Sequence, residues 1–510
     1  MSRRRTCSIA LVAAAVALGI GQAPTARADQ RDHPAVAVST ATTATTAATE
    51  PDPAPQLRRK GRWLVDQYGR VVIVHGFNLV WKRAPYAPPA TAAGFTNADA
   101  RWLKRYGFNG VRLGTLWAGI TPERDGVGDE TYRARWQRVM DLLAAQGIYM
   151  QLDAHQDMWH ETYGGEGVPD WAMIRPAPFN LLPPVNLPFP MGYWTPEVST
   201  VFDQFWANEH GLLDGWVDAW KVAVRWWQGQ PYLMGYDLIN EPWMGLEWPF
   251  CLKAGCKASY TKELQPALEK ATTAIRGIDR QNIVWWEPQQ LAGGQKVPTY
   301  LEPMAGERRL GLSWHNYCQD VFLESQGIPG GNVENCWAFS RDREDHALEQ
   351  AAHINAVPMM SEWGATDNLR AVEIDADVAD EHLMSWLHWA YKRWDDPTTA
   401  DDAQGMFTDD ADLGSVKAEK LRRLVRTYAQ AVAGTPTKMS FDIDTGDFLL
   451  RYKPDLRITQ PTEVFVSPLH YPDGYRVVVD GGTAVRRPGR MVDVTPSGAG
   501  TVTVRIAALG

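Results

Sequence analysis

The sequence predicts a (β/α)8 TIM barrel followed by a small C-terminal all-β sandwich domain, and three observations carry that reading. Eight short β-rich runs alternate with helical patterns between residues 56 and 434. Most of the runs end in polar residues, as strands do at the rim where barrels carry their chemistry. Beyond Pro436 the pattern changes to short alternating strands separated by turn residues. No G-x-G-x-x-G follows the first run, so an open dinucleotide-binding sheet lacks its fingerprint and no cofactor is expected.

The elements follow in chain order. Arg3, Arg4 and Arg5 precede an apolar run from Ile9 to Ile20, and Ala26-Arg27-Ala28 supplies a small-x-small cleavage site. Residues 1–28 therefore read as a signal peptide whose apolar run is too short to span a bilayer, and the mature protein as secreted. Residues 29–55 are rich in Ala, Thr and Pro without hydrophobic periodicity and read as a disordered linker. The barrel is expected over 56–434, with strands at Arg70–Asn78, Gly110–Thr115, Ile148–Asp153, Leu233–Asn240, Asn282–Glu287, Leu310–His315, Val357–Glu362 and Leu387–Tyr391. Helices are expected at Asn97–Tyr106, Glu130–Gln146, Lys262–Ile278 and Ala379–Ser385, with a last one from the N-cap Ser415 to Gly434. Residues 435–510 form the β-sandwich, with a turn at Tyr471-Pro472-Asp473-Gly474.

Composition bounds the partners. Lys and Arg number 51 against 60 Asp and Glu, a net charge of −9 with no compensating basic block, which argues against nucleic acid. The chain has 23 Trp, a residue whose flat ring serves sugars and lipid interfaces as well as cores. Cleavage after Ala28 removes Cys7 and leaves four cysteines. In an exported protein these read as two disulfides, of which Cys251/Cys256 and Cys318/Cys336 are the simplest of three pairings. Neither pair has C-x2-C spacing, so a zinc site is disfavoured.

The strand-end residues form a set. Strand two carries Arg112; strand three ends in Asp153, with His155, Gln156 and Asp157 following; strand four ends in Asn240-Glu241-Pro242. Strand six ends in His315 with Tyr317, strand seven in Glu362, and strand eight offers Trp389. Two carboxylates at the ends of different barrel strands, with Trp beside them, suit glycoside hydrolysis: one protonates the leaving oxygen and the other meets the developing oxocarbenium ion. A Glu at a helix start is more often a dipole partner, and the second Glu at strand seven shifts the balance to catalysis. Asp153, His155 and Asp157 have a metal-site pattern but no matching His pair, so no metal is expected. Glu287, in WWEP, is read as structural. Between strands three and four, Leu181–Tyr193 lies in an apolar, proline-rich insertion, LLPPVNLPFPMGYW, and PWMGLEWPF follows strand four. Such segments suit a lipid trough or an interface-facing lid; plain packing on the barrel is the alternative.

The set Arg112, Asn240-Glu241, His315-x-Tyr317, Glu362 and a strand-eight Trp resembles glycoside hydrolase family 5. HGFNLVWKRAPYAP, GFTNADARWLKRYGFNGVRLGTLW, LDAHQDMWH, GGEGVPDW, YDLINEPW and AVAGTPT resemble endoglycoceramidases along nearly all of the mature chain. The resemblance implies retaining hydrolysis of the bond between glycan and ceramide, with Glu362 as nucleophile and Glu241 as proton donor and acid-base. It implies that Asn240 hydrogen-bonds the 2-hydroxyl, that Arg112 and Tyr317 orient Glu362, and that His315 orients the acid. His155, Asp157 and Lys82 would hold the first sugar. The expected partner is a glycosphingolipid, with transient membrane or micelle contact through the apolar loops, and the chain is read as a monomer. The rivals are a secreted endo-β-glucanase and a non-catalytic glycan- or lipid-binding barrel.

Overall fold

The computed structural model describes residues 55–325, 331–398 and 402–509, and the expected signal peptide and nearly all of the expected linker lie outside them. Eight parallel strands close a barrel in chain order: His75–Leu79, Gly110–Gly114, Tyr149–Asp153, Leu233–Asp237, Val284–Trp286, Leu310–Asn316, Ala356–Trp363 and Trp386–His388. The barrel closes where His75 and Phe77 pair with Trp386 and His388. Trp285, Trp286, Trp314 and Trp386 of its strands, and Trp136 of the helix Glu130–Ala144 packed on them, are all fully buried. Close backbone approach is required at Gly76, where an added Cβ would stand 1.7 Å from the Gly110 carbonyl oxygen.

Helices occupy the outer ring. Asn97–Arg105 starts with a capping box between Thr96 and Asp99 and buries Trp102 and Leu103. Glu130–Ala144 is capped by Asp129, and Leu212–Trp227 buries Trp216, Trp220 and Trp227 on one face. Two expected helices require correction. The segment expected at Ala379–Ser385 is a longer helix, Leu369–His382, whose N-cap Asn368 accepts from Ala371 N–H. The segment expected to be helical from Ser415 to Gly434 is helical only over Ala418–Leu424 and then becomes a strand, Tyr428–Val432. Val425, Thr427, Tyr428 and Val432 favour extended backbone, and pairing with Val71–Val72 on one side and Thr462–Phe465 on the other decides the matter.

The β-rich part comprises two sheets. Four strands run in the order Gly434–Phe441, Phe448–Pro454, Val502–Ala508, Tyr475–Asp480. The other sheet has seven strands: Arg58–Lys60, Trp63–Val65, Val71–Val72, Tyr428–Val432, Thr462–Phe465, Met491–Pro496 and Gly482–Arg487. Chain from both sides of the barrel thus enters that sheet. The single run expected at Arg70–Asn78 divides between it and the first barrel strand. Buried Arg426 ties the β-rich part to the barrel helix Leu369–His382 through Asp377 and Asp380, and Tyr428 stacks on His75 with ring centroids 3.7 Å apart. Cys251–Cys256 and Cys318–Cys336 are disulfide-bonded, as the spacing suggested. No helix among the described residues is long and apolar enough to cross a membrane.

Candidate active site

Arg112, on the second strand, is the hub of the barrel mouth. Its guanidinium is fully buried and reaches Asp153 and Asp237 at 2.9 Å and Glu362 at 3.0 Å, while donating to Asn240 Oδ1 at 3.0 Å and Asn78 Oδ1 at 3.3 Å. Burial is the largest influence on it and opposes its charge. The surrounding carboxylates Asp153, Asp237, Glu287 and Glu362 outweigh that together, so its pKa is raised.

Glu362, on the seventh strand, is held at both oxygens: Arg112 at Oε2, and the Tyr317 hydroxyl donating 2.7 Å to Oε1. Glu241, after the fourth strand, has an oxygen within 4.8 Å of one on Glu362. Its backbone is left-handed, φ 43°, a strained conformation for a residue with a side chain. Gln156 Nε2 donates to the carbonyls of Asn240 and Glu241 at 2.9 and 3.3 Å, and Glu287 Oε1 accepts from the Glu241 N–H at 3.0 Å. His315 Nδ1 is 3.0 Å from Glu241 Oε1, and Gln290 donates to Oε2 at 2.9 Å. Burial, then the Asp157 charge, pushes the Glu241 carboxyl up to about 7. Burial brings His315 down to about 4, so at neutral pH it is an uncharged imidazole beside that acid.

A second cluster lies beside the first. Lys82 Nζ is 2.5 Å from Asp157, 2.6 Å from Thr398 Oγ1, 3.2 Å from Asp396 and 3.5 Å from Glu166, all buried. His155 binds Asp153 through Nδ1 at 2.7 Å and lies under the Trp389 ring, centroids 5.2 Å apart and nearly parallel. Burial disfavours its charge most strongly, but Asp153 prevails and raises it to about 10, so His155 is an imidazolium. His155, Asp157 and Glu166 are close enough to share a metal ion, as are Glu241, His315 and Glu362. The Lys82 ammonium already stands among the former as their counter-charge.

These groups frame a pocket of about 290 Å³. Its lining includes Glu241 and Glu362, the polar Lys82, Asp157, Gln290, Asn316, Thr398 and Gln404, the indole of Trp389, and the apolar Phe189, Pro190, Trp194, Leu291, Val321 and Phe322. The lining thus combines polar groups and an indole face with apolar side chains. Trp194 stacks on Trp248 at 6.0 Å, joining the insertion to the loop after strand four. Leu181 and Phe250 on these loops are 82% and 86% exposed, with Leu182, Val185 and Leu252 also at the surface.

The predicted residues therefore converge. Arg112, Glu241, His315, Tyr317 and Glu362 form one contact network, and Lys82, His155, Asp157 and Trp389 form its neighbour. Asn240 is buried behind Arg112 and Gln156, its Nδ2 donating to the Gln156 carbonyl at 3.0 Å. Glu166, Gln290, Asp396 and Thr398 went unmarked by the sequence reading. The GGEG stretch held a signal for Glu166: Gly165 has no room for a Cβ, which would meet the Asp157 carbonyl at 1.7 Å, and Gly167 has φ +128°. Those glycines let Glu166 exchange both backbone hydrogen bonds with Asp157.

Residues 65–395 match the family described as Cellulase (glycosyl hydrolase family 5), and 426–506 match the Glycoside hydrolase family 5 C-terminal domain. Endoglycoceramidase I of Rhodococcus hoagii (strain 103S) is 37% identical over 464 residues, 89% of this chain and 88% of the relative. Endoglycoceramidase of Cyanea nozakii is 31% identical over 449 residues, 82% and 85% respectively. The solved structure of Endo-glycoceramidase II from Rhodococcus sp. is similar at a TM-score of 0.70 and 26% identity, covering 88% of this chain and 100% of that one. With a barrel closed around two facing carboxyls and both parts of the chain matched, the protein belongs to glycoside hydrolase family 5 and, within it, to the endoglycoceramidase-like enzymes.

Proposed function

We propose that the chain is a retaining endoglycosylceramidase that releases an intact glycan from the ceramide of a glycosphingolipid. One observation carries the reading: Glu241 and Glu362 approach within 4.8 Å in a pocket lined by both polar and apolar side chains. Inverting enzymes separate their carboxyls by about 6.5–9.5 Å to admit a water, so the closer pair favours direct attack by one of them. Glu362, fixed by Arg112 and Tyr317, attacks the anomeric carbon. Glu241, protonated near neutrality, gives its proton to the departing ceramide oxygen. The resulting Glu241 carboxylate then takes a proton from water, which attacks the anomeric carbon and frees the glycan and Glu362.

Lys82, Asp157 and Trp389 hold the first sugar, the indole providing its stacking face. His155 and Asn240 act from behind, His155 under the indole and Asn240 between Arg112 and Gln156. The ceramide lies along Phe189, Leu291, Val321 and Phe322. The exposed apolar loops around Leu181 and Phe250 touch the micelle or bilayer that presents the lipid. Export is supported by the pattern of residues 1–28 and by two disulfides in the folded chain.

A fluorosugar inactivator tests the roles. Mass spectrometry should place the glycosyl adduct on the peptide containing Glu362, and Glu362→Gln should form none. An adduct on Glu241 or Glu287 would overturn the assignment.

A further inference from the structure

We propose that Glu287, the carboxyl after the fifth strand, is a positioning residue for the general acid, holding Glu241 through its backbone N–H. The inference rests on the assignment of Glu241 as proton donor and extends it to a residue outside the reacting pair.

Glu241 has φ 43°, so its side chain reaches the pocket from a backbone that tends to relax elsewhere unless it is gripped. Gln156 holds the two flanking carbonyls. The N–H is taken by Glu287 Oε1 at 3.0 Å, with both residues buried. That same oxygen lies 3.1 Å from His315 Nε2, and His315 Nδ1 lies 3.0 Å from the Glu241 carboxyl. Glu287 therefore touches the acid's backbone directly and its carboxyl by way of one ring. Oε2 is 3.5 Å from Arg112 Nη2, buried and without a hydrogen bond. Burial, and after it the Asp237 charge, raises the Glu287 carboxyl well above the usual carboxylate range. The contact with the Glu241 N–H needs only an acceptor oxygen, which an amide of the same shape also supplies.

The test separates acid catalysis from the rest of the reaction. Each variant is assayed on lactosylceramide, whose leaving oxygen needs a proton, and on 2,4-dinitrophenyl lactoside, whose leaving group departs without one. Displacing a catalytic group by about 1 Å can cost roughly a hundredfold. Glu287→Ala should therefore lose about that factor in kcat/KM on the lipid and less than about threefold on the aryl glycoside. Glu287→Asp, which keeps the polar group but withdraws it from the N–H, should show the same split in smaller measure. Glu287→Gln should restore both activities to near wild type. Equal losses on the two substrates, or a Gln variant as impaired as Ala, would overturn the inference. Glu241→Ala is run alongside: if it lacks the split, the acid assignment itself fails; if it shows the split and the Glu287 variants do not, only the present inference falls.

Discussion

Replacing Arg112 by Met removes the guanidinium that balances Asp153, Asp237 and Glu362 while keeping an unbranched chain in its place. Three carboxylates lie within 3.0 Å of that guanidinium and a fourth at 3.5 Å, with no solvent to take over. Breaking a buried pair by removing one partner costs about 3–5 kcal/mol, because the other charge stays behind unpaired. The loss should also depend on pH. Asp237 already stands at about 7, raised by burial and held down by Arg112. Without the guanidinium its pKa moves higher still, so above pH 7 the folded variant keeps a proton that the folded wild type has released. A folded state that holds an extra proton loses stability faster as pH rises. The difference between the two proteins should thus widen above pH 7 by up to about 1.4 kcal/mol per unit until the variant's Asp237 also ionises. Urea unfolding of both proteins at pH 7, 8 and 9, followed by tryptophan fluorescence, measures it. A loss below about 1 kcal/mol, or one that is constant or shrinks with rising pH, would refute the reasoning.

Three further outcomes are expected. Tyr317→Phe removes the 2.7 Å hydrogen bond to Glu362 and should lower kcat/KM by about 10- to 150-fold, the equivalent of about 1.5–3 kcal/mol for a bond to a charged group, with little change in melting temperature. The kcat/KM profile on glycosylceramide should fall as pH rises through about 7, because Glu241 must be protonated to act and is progressively ionised above that point; a plateau extending to pH 9 would contradict it. Shortening Leu181–Tyr193 should spare soluble aryl glycosides and slow the cleavage of micellar glycosphingolipid, since each buried CH2 contributes about 0.8 kcal/mol; equal loss on both would mean damage to the barrel.

The strand ends were legible because catalytic residues in a barrel sit where apolar runs stop, and Glu241, His315, Tyr317 and Glu362 fell at such stops, while Arg112 stood out as the one charge inside the second run. Thr398 and Asp396 were not, because they lie in a loop far along the chain and reach Lys82 only through the closure of the barrel. Glu287 was visible as a strand-end carboxyl, yet its contact with the Glu241 N–H depends on a positive φ that no local pattern announces. The segment after Ser415 misled for a related reason. A convincing N-cap and a terminal Gly434 framed it as one helix, but Tyr428–Val432 satisfies its backbone against Val71–Val72, more than 350 residues earlier in the chain. Likewise Arg70–Asn78 is one apolar run that two different sheets divide.

Digestion of lactosylceramide, with the products followed by proton NMR from the first minutes, tests the central claim most directly. The account predicts intact lactose and free ceramide in equal amounts, with the lactose appearing first as the β anomer and mutarotating afterwards. Release of galactose before glucose, lactose appearing first as the α anomer, or cleavage of cello-oligosaccharides with every glycosylceramide left intact would contradict it.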